Sequence, residues 1–163
     1  MDSLRHLIID GYNVIHALPQ LQAWMLRGDL EIARNHLFDL VKPIHDQFDY
    51  RVTLVFDGSM DGKEVFRPTK ELTFSVIYAP SSLSADGLIE QLVQSSKQPE
   101  RITAVTQDHM IQETLTTIGA FTITPEELMD WVQNANRVQE SKINRNNYRK
   151  SSGQPFGNFL NFD

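Results

Sequence analysis

Short apolar runs that end in an aspartate constrain this chain more than any other feature of its sequence. The runs are residues 7–9, 51–56 and 101–106, and the acids that close or follow them are Asp10, Asp57 and Asp108. A continuous apolar run predicts a strand that is buried on both faces, as in a parallel sheet. Open α/β sheets bind their ligands at the carboxyl ends of the strands. We therefore expect these acids at the edge of the sheet where such a fold holds its ligand.

The segments between the runs favour helices and loops. Apolar residues recur at helical spacing from Leu30 to Ile44, and Pro43 is expected to bend or end that helix. Residues 18–21 indicate a turn or a short helix, 59–71 a polar loop, and 72–78 a further strand. More helices are predicted over residues 84–96, 109–118 and from 125 onward, the last behind a capping box and followed by a basic tail.

Strands that alternate with helices predict an α/β fold in which helices cover both faces of a mainly parallel sheet. We assign residues 1–134 to this domain and residues 135–163 to the tail. The tail has five lysines and arginines and two acids, within a chain whose net charge is −6. Such a segment is compatible with phosphate binding and equally with a solvated end.

The composition excludes several classes of protein. The chain has 163 residues, which suits one domain, and it has no cysteine, which excludes disulfides, thiolate metal sites and a cysteine nucleophile. No apolar run approaches the roughly 20 residues that span a bilayer. The N-terminus lacks the pattern of a signal peptide. We therefore expect a cytoplasmic protein with no membrane partner.

A fourth acid, Asp86, lies in the first turn of a predicted helix and should reach the same edge as the three strand-end acids. Four close carboxylates repel one another and destabilise a fold unless a cation neutralises them. Oxygen ligands without cysteine or histidine favour Mg²⁺ or Mn²⁺ over Zn²⁺. A site of this kind suits metal-assisted hydrolysis of a phosphodiester.

Each acid also has a purely structural interpretation. Asp10 and Asp57, each followed by glycine, would be strand-to-loop turns. Asp108 would be the N-cap of its helix, and Asp86 would complement a helix dipole. Asp10 is the hardest to explain in this way, because an apolar strand leads into it and the amide of Asn13 follows one turn later. Convergence of the acids is thus a hypothesis about the tertiary structure.

Four motifs follow one another along the chain: LIIDGYNVI at 7–15, VFDG at 55–58, SADGLIE at 84–90 and VTQD at 105–108. In order and spacing, over about residues 4–132, they resemble the motifs of the YacP-type NYN-domain ribonucleases, which belong to the PIN-like nucleases. The resemblance implies a PIN-like three-layer α/β/α sandwich and endonucleolytic cleavage of RNA that depends on a divalent metal. The site residues that it implies are Asp10, Asn13, Asp86 and Asp108, with Asp57 beside them.

Two positions depart from the family pattern. Members commonly have a second acid directly after the residue that matches Asp86, and here that position is Gly87. Glu90, one turn on from Asp86, points the same way and is our candidate to replace the missing carboxylate as a metal ligand. The family often has serine at the position of Gln107, whose amide can still orient water.

A nuclease must also hold phosphates near its acids. Lys63, Arg67 and Lys70 lie in the polar loop after the second strand, and we hypothesise that they bind the RNA backbone. Tyr12 or Phe66 is available to stack on an unpaired base. A solvated basic loop would explain the same three cations equally well.

Two other functions fit parts of the sequence. The missing acid at Gly87 suggests an RNA-binding module with a weakened site. Asp10, at the end of the first strand, would also suit an aspartate nucleophile for phosphoryl transfer. Such enzymes generally have a second acid two residues later, where this chain has Tyr12.

Overall fold

A six-stranded sheet forms the middle layer of the molecule. The computed structural model describes residues 4–58, 64–66 and 73–152. The strands are β1 (Arg5–Asp10), β2 (Tyr50–Asp57), β3 (Glu64–Phe66), β4 (Phe74–Ala79), β5 (Ile102–Val105) and β6 (Phe121–Ile123). Their order across the sheet is β3-β4-β2-β1-β5-β6, and all are parallel except β3, which runs antiparallel to β4. The prediction of a mainly parallel sheet is confirmed.

Helices cover both faces of this sheet. They are α1 (Gly11–Ala17), α2 (Pro19–Leu26), α3 (Leu30–Phe48), α4 (Ala85–Gln94), α5 (His109–Ile118) and α6 (Pro125–Ser152). One apolar core joins the sheet to α1, α2, α3 and α6, and a second joins it to α4 and α5. The result is the three-layer α/β/α sandwich that the sequence predicted.

Strand β1 shows how burial on both faces produces an unbroken apolar run. Leu7 and Ile9 lie in the first core, Ile8 lies in the second, and all three are 0% exposed. Successive side chains leave opposite faces of a strand. Asp10, two positions after Ile8, therefore leaves the sheet on the side of α4 and α5.

Helix α3 continues through Pro43 to Phe48, so the proline does not end it. Proline removes one backbone N–H donor and crowds the carbonyl group four residues earlier. Leu37, Val41 and Ile44 are nevertheless completely buried in the first core. We attribute the continuation to this packing, which stabilises the turns on both sides of the proline.

Two short elements lie where the sequence indicated loops or left the structure open. β3 falls within the predicted polar loop and pairs with β4 at the edge of the sheet. α2 extends from Pro19 to Leu26, with proline at its first position, where it is well tolerated. Three residues are too few to show a strand period, which explains why the loop prediction missed β3.

The last helix extends well past the predicted domain boundary. Residues 126–152 contain neither glycine nor proline, so no residue in that stretch ends the helix. Ala135 is buried, and the described side chains beyond it are exposed. The division at residue 134 stays a prediction and falls inside α6. In the described parts of the chain, no helix is both long and apolar enough to cross a bilayer.

Gly11 allows α1 to pack closely against β2, and replacing it with alanine should destabilise the fold. A Cβ atom at this position would lie 2.1 Å from Cε1 of Phe56, whose side chain is 1% exposed. We expect Gly11→Ala to lower the free energy of unfolding by about 1–3 kcal/mol in urea titrations.

Gly87→Ala is the matched control, since Gly87 also lies in a first helical turn. Its Cβ would lie 2.6 Å from Cδ1 of Leu83, at the end of a side chain that can rotate away, and its other neighbours would lie at 3.3 Å or more. We expect little change in stability for this variant. Equal losses at Gly11 and Gly87 would contradict the role assigned to Gly11.

Candidate active site

Asp10 lies at the carboxyl end of the central strand of the sheet. β1 pairs with β2 on one side and with β5 on the other, so the chain winds outward from it in both directions. Such a switch point opens a crevice at the carboxyl edge. Asp10 is 7% exposed, and its Oδ1 accepts a hydrogen bond from the backbone N–H of Asn13 at 3.3 Å. It is therefore both the N-cap of α1 and an acid held in the crevice.

The carboxyl group of Asp86 lies beside that of Asp10. Burial, the hydrogen bond to Asp86 and the charge of Asp86, in that order of size, together raise the pKa of Asp10 to about 8. The charge of Asp57 acts in the same direction with a smaller effect, and the bond from Asn13 opposes it. The first and third motifs thus meet in space.

One oxygen atom of Asp86 has no protein partner. Its Oδ1 is buried and receives no hydrogen bond from any described residue. An unpaired buried carboxylate oxygen destabilises a fold unless a donor or a cation satisfies it. Asp10 is also an oxygen donor, so the pair has the chemistry of a site for a hard divalent cation.

Asp57 fixes the position of α4. Its Oδ1 accepts a hydrogen bond from the backbone N–H of Ala85 at 2.7 Å. Ser84 caps the same helix, accepting from the N–H of Gly87 at 3.1 Å. The bond from Ala85 holds the first turn of α4 against the end of β2, the Ser84 cap closes that turn, and Asp86 is part of it. Asp57 therefore positions Asp86 in addition to adding negative charge near Asp10.

Asp108 caps α5, as its structural interpretation predicted. Its Oδ1 accepts from the N–H groups of Met110 at 2.9 Å and Ile111 at 3.3 Å, and its side chain is exposed. Thr106, which sequence reasoning did not single out, accepts from the N–H of Asp108 at 3.1 Å. A buried threonine two residues before an acid at a strand end is the local signal that would have identified it.

Asn13 connects the first motif to the fourth. Its Oδ1 accepts a hydrogen bond of 2.7 Å from the backbone N–H of Gln107, 94 positions away in the chain. The bond crosses the crevice between β1 and β5. Asn13 thereby sets the position of the loop that carries Asp108 relative to Asp10.

The structure brings some of the predicted metal ligands together more closely than others. Asp10 and Asp86 are in contact, whereas Asp108 is not among the groups that shift the pKa of Asp10. Within residues 4–58, 64–66 and 73–152, no three acidic or histidine side chains surround one point that an ion could occupy. Glu90 is half-buried on α4, one turn after Asp86. The metal set of Asp10, Asp86 and Asp108, with Asp57 and Glu90, stays a prediction.

The structure shows the contacts of Tyr12, one of the residues predicted to contact RNA. The ring of Tyr12 packs edge-on against Phe56, with centroids 4.7 Å apart, and its hydroxyl accepts a 3.0 Å hydrogen bond from Nη1 of Arg34. One part of the Tyr12 ring is thus already covered by protein. Lys63, Arg67 and Lys70 lie outside the described residues.

Asp10→Asn should stabilise the metal-free protein at alkaline pH. The folded protein keeps the Asp10 proton up to about pH 8, while an unfolded chain loses it near pH 4. The free energy of unfolding of the parent should therefore fall as the pH rises between these values. Asparagine cannot ionise, so at pH 8 the free energy of unfolding of the variant should exceed that of the parent by on the order of 2–4 kcal/mol.

The measurement is urea unfolding in EDTA at pH 5, 6.5 and 8. Asp130→Asn, at an exposed acid on α6, is the control and should follow the parent. A parent whose stability does not change over this range, or a variant less stable than the parent at pH 8, would contradict the raised pKa.

Known proteins are similar to this chain in sequence and in fold. Residues 7–157 match the family model of the YacP-like NYN domain. The chain is 28% identical over 149 residues to the uncharacterized protein YacP of Bacillus subtilis strain 168, over 91% of this chain and 86% of that protein.

The fold agrees with two crystal structures of Rae1 (YacP) from Bacillus subtilis. The TM-scores are 0.71 for a mutant form and 0.69 for the other structure, each at 26% identity. Both comparisons cover 94% of this chain, with 87% and 86% of the respective solved chains. The family match spans all four motifs and most of the sandwich, so this chain has a PIN-like fold and belongs to the YacP-like NYN domain family.

Proposed function

We propose that this protein is an endoribonuclease that hydrolyses phosphodiester bonds in RNA with the help of Mg²⁺ or Mn²⁺. The observation that supports this most strongly is the contact between Asp10 and Asp86, in which Oδ1 of Asp86 is buried without a described donor. Membership of the PIN-like nucleases supports RNA as the substrate class.

A divalent cation fits the donor atoms of this site. Asp10 and Asp86 would hold it directly, and Asp57, Asp108 and Glu90 are further carboxylates for direct or water-mediated contacts. When bound, the ion would supply an activated water and offset the charge that develops on the scissile phosphate. Mg²⁺ retains several waters in proteins, so two direct carboxylates suffice.

The other residues of the site act by positioning. Asp57 holds the first turn of α4, and with it Asp86, through the N–H of Ala85. Asn13 holds the loop before α5 through the N–H of Gln107. The scissile phosphate would approach the crevice from its open carboxyl edge, where Asp108 is exposed. Lys63, Arg67 and Lys70 remain our candidates for holding the flanking phosphates.

An RNA-binding module with little catalytic activity is the second candidate. The position after Asp86 has glycine in place of an acid, and Asp108 already accepts two backbone hydrogen bonds. Both features reduce the carboxylate oxygen atoms that are free for an ion. The two candidates differ in whether the purified protein cuts RNA.

Asp10→Asn and Asp86→Asn should each lower RNA cleavage by at least about 100-fold, because each removes a charged oxygen from the ion site. The assay follows a labelled structured RNA in Mn²⁺, with EDTA as the metal-free condition. Asp130→Asn, which changes an exposed acid on α6, should cleave like the parent.

Equal, slow cleavage by the parent and all three variants would point to a contaminating nuclease and to the binding module. Since Asp10→Asn is expected to fold at least as stably as the parent, its loss of activity would not be a loss of structure.

Gly87→Asp should raise cleavage in Mn²⁺ by about 10-fold, because it adds a carboxylate beside Asp86. The one atom closer than 3.0 Å to the new Cβ would be Cδ1 of Leu83, at the end of a side chain that can rotate away, so the fold can accept it. Gly87→Asn has the same shape without the charge and should show no gain. A gain with asparagine, or none with aspartate, would contradict the idea that Gly87 weakens the site.

A further inference from the structure

A second concave site lies near the same edge of the sheet, on its other face. A cavity of about 200 Å³ opens between α3 and the carboxyl-terminal halves of β2 and β4. Its polar and aromatic lining consists of Glu31, Arg34, Asn35, Phe38, Phe56 and Tyr78. We call this cavity the α3 pocket. None of its polar side chains has a part in the acid site described above.

The aromatic side chains and the cation of the α3 pocket are held in place. Tyr78 stacks on Phe56, with centroids 5.7 Å apart and the ring planes inclined by 25°. The guanidinium carbon of Arg34 lies 5.9 Å from the centroid of the Tyr78 ring. Nη1 of Arg34 donates to the hydroxyl of Tyr12 at 3.0 Å. Arginine has five N–H donors, so this bond orients the guanidinium group while other donors stay available to a ligand.

The pocket and the acid site are neighbours along the backbone. Phe56 lines the pocket and is followed directly by Asp57, and their Cα atoms are about 3.8 Å apart. Successive side chains of a strand leave opposite faces, so the chain crosses from one site to the other within one residue. Tyr12, which orients Arg34, is two positions after Asp10. An RNA strand with a phosphate at the acids could therefore pass over the edge and place a nearby base in the pocket.

We infer that the α3 pocket binds one unpaired nucleobase of the RNA and prefers guanine. The inference rests on the proposed function in that it takes the ligand to be RNA. Aromatic stacking is a common way for proteins to hold splayed bases, and the half-buried Tyr78, which lines the pocket, would supply it here. The cavity is below the roughly 300–1,000 Å³ of pockets for drug-sized ligands, which suits a single base.

Hydrogen-bonding chemistry selects the base. Arginine pairs with O6 and N7 of guanine, and Arg34 supplies such donors. Glu31 is exposed one helical turn away and can accept from the N1 and N2 hydrogens of the same base. Adenine presents an amino donor where guanine presents O6, so it would oppose the donors of Arg34. Pyrimidines lack N7.

The test uses the full chain with Asp10→Asn, in EDTA, so that RNA is bound but not cut. The probes are two fluorescein-labelled octaribonucleotides of uridine, one with a central guanosine and one with a central adenosine, and anisotropy gives their Kd values. We expect the guanosine probe to bind at least about fivefold more tightly. Adding Arg34→Gln or Glu31→Gln should bring the ratio of the two Kd values to about one.

Arg5→Gln is the matched control, since Arg5 is an exposed arginine at the opposite end of β1. Loss of a positive charge weakens binding of both probes alike, so Arg5→Gln should keep the ratio. A ratio near one in the Asp10→Asn background, a ratio that survives Arg34→Gln, or no measurable binding would each overturn the inference.

The result is separable from the fate of the proposed function. If the parent fails to cut RNA in Mn²⁺ but the Arg34-dependent ratio is found, the nuclease proposal is wrong and the pocket stands. If the parent cuts RNA but the guanosine and adenosine probes bind equally, the pocket inference is wrong and the nuclease proposal stands.

Discussion

The contact between the carboxyl groups of Asp10 and Asp86 is the constraint on which the arrangement of this edge depends. Two acids that are close and poorly solvated favour a shared proton or a cation over two free charges. The raised pKa of Asp10 and the unpartnered Oδ1 of Asp86 are two consequences of the same arrangement. The remaining polar residues of the crevice keep these two groups in place.

The structural and chemical interpretations of the acids prove compatible with each other. Asp10 and Asp108 cap the helices that follow them, and Asp57 binds the first N–H of α4. Backbone N–H groups at a helix start attract carboxylates, so each cap also fixes an acid at the carboxyl edge of the sheet. A carboxylate that accepts such bonds has fewer oxygen atoms left for an ion. Asp108 accepts two such bonds and Asp10 accepts one, and Asp10 also contacts Asp86, so Asp10 and Asp86 form the centre of the proposed site.

The sandwich gives the same sheet edge two different surfaces. The acids leave the sheet toward α4, while Phe56 and Tyr78 face α3. Alternation along β2 separates a negatively charged site from an aromatic and cationic one by a single residue. In the proposed ribonuclease the acids would hold the cation that meets the phosphate and the aromatic surface would hold a nearby base, so the α3 pocket and the acid site would serve the same RNA strand.

Local patterns in the sequence determined the strands, most of the helices and the parallel sheet, because burial on one or both faces leaves a periodic record in neighbouring residues. The family followed from the resemblance of four motifs in their order and spacing. The same patterns predicted where Asp10, Asp57 and Asp108 would stand. They missed β3, which is too short for a period, and the full length of α6, whose exposed residues have no apolar stripe. Only the tertiary structure decided that Asp10 meets Asp86, that Asn13 reaches Gln107, and that Arg34 lies between Tyr12 and Tyr78. Those distances depend on how whole layers pack, and residues far apart in the chain carry no local signal of one another.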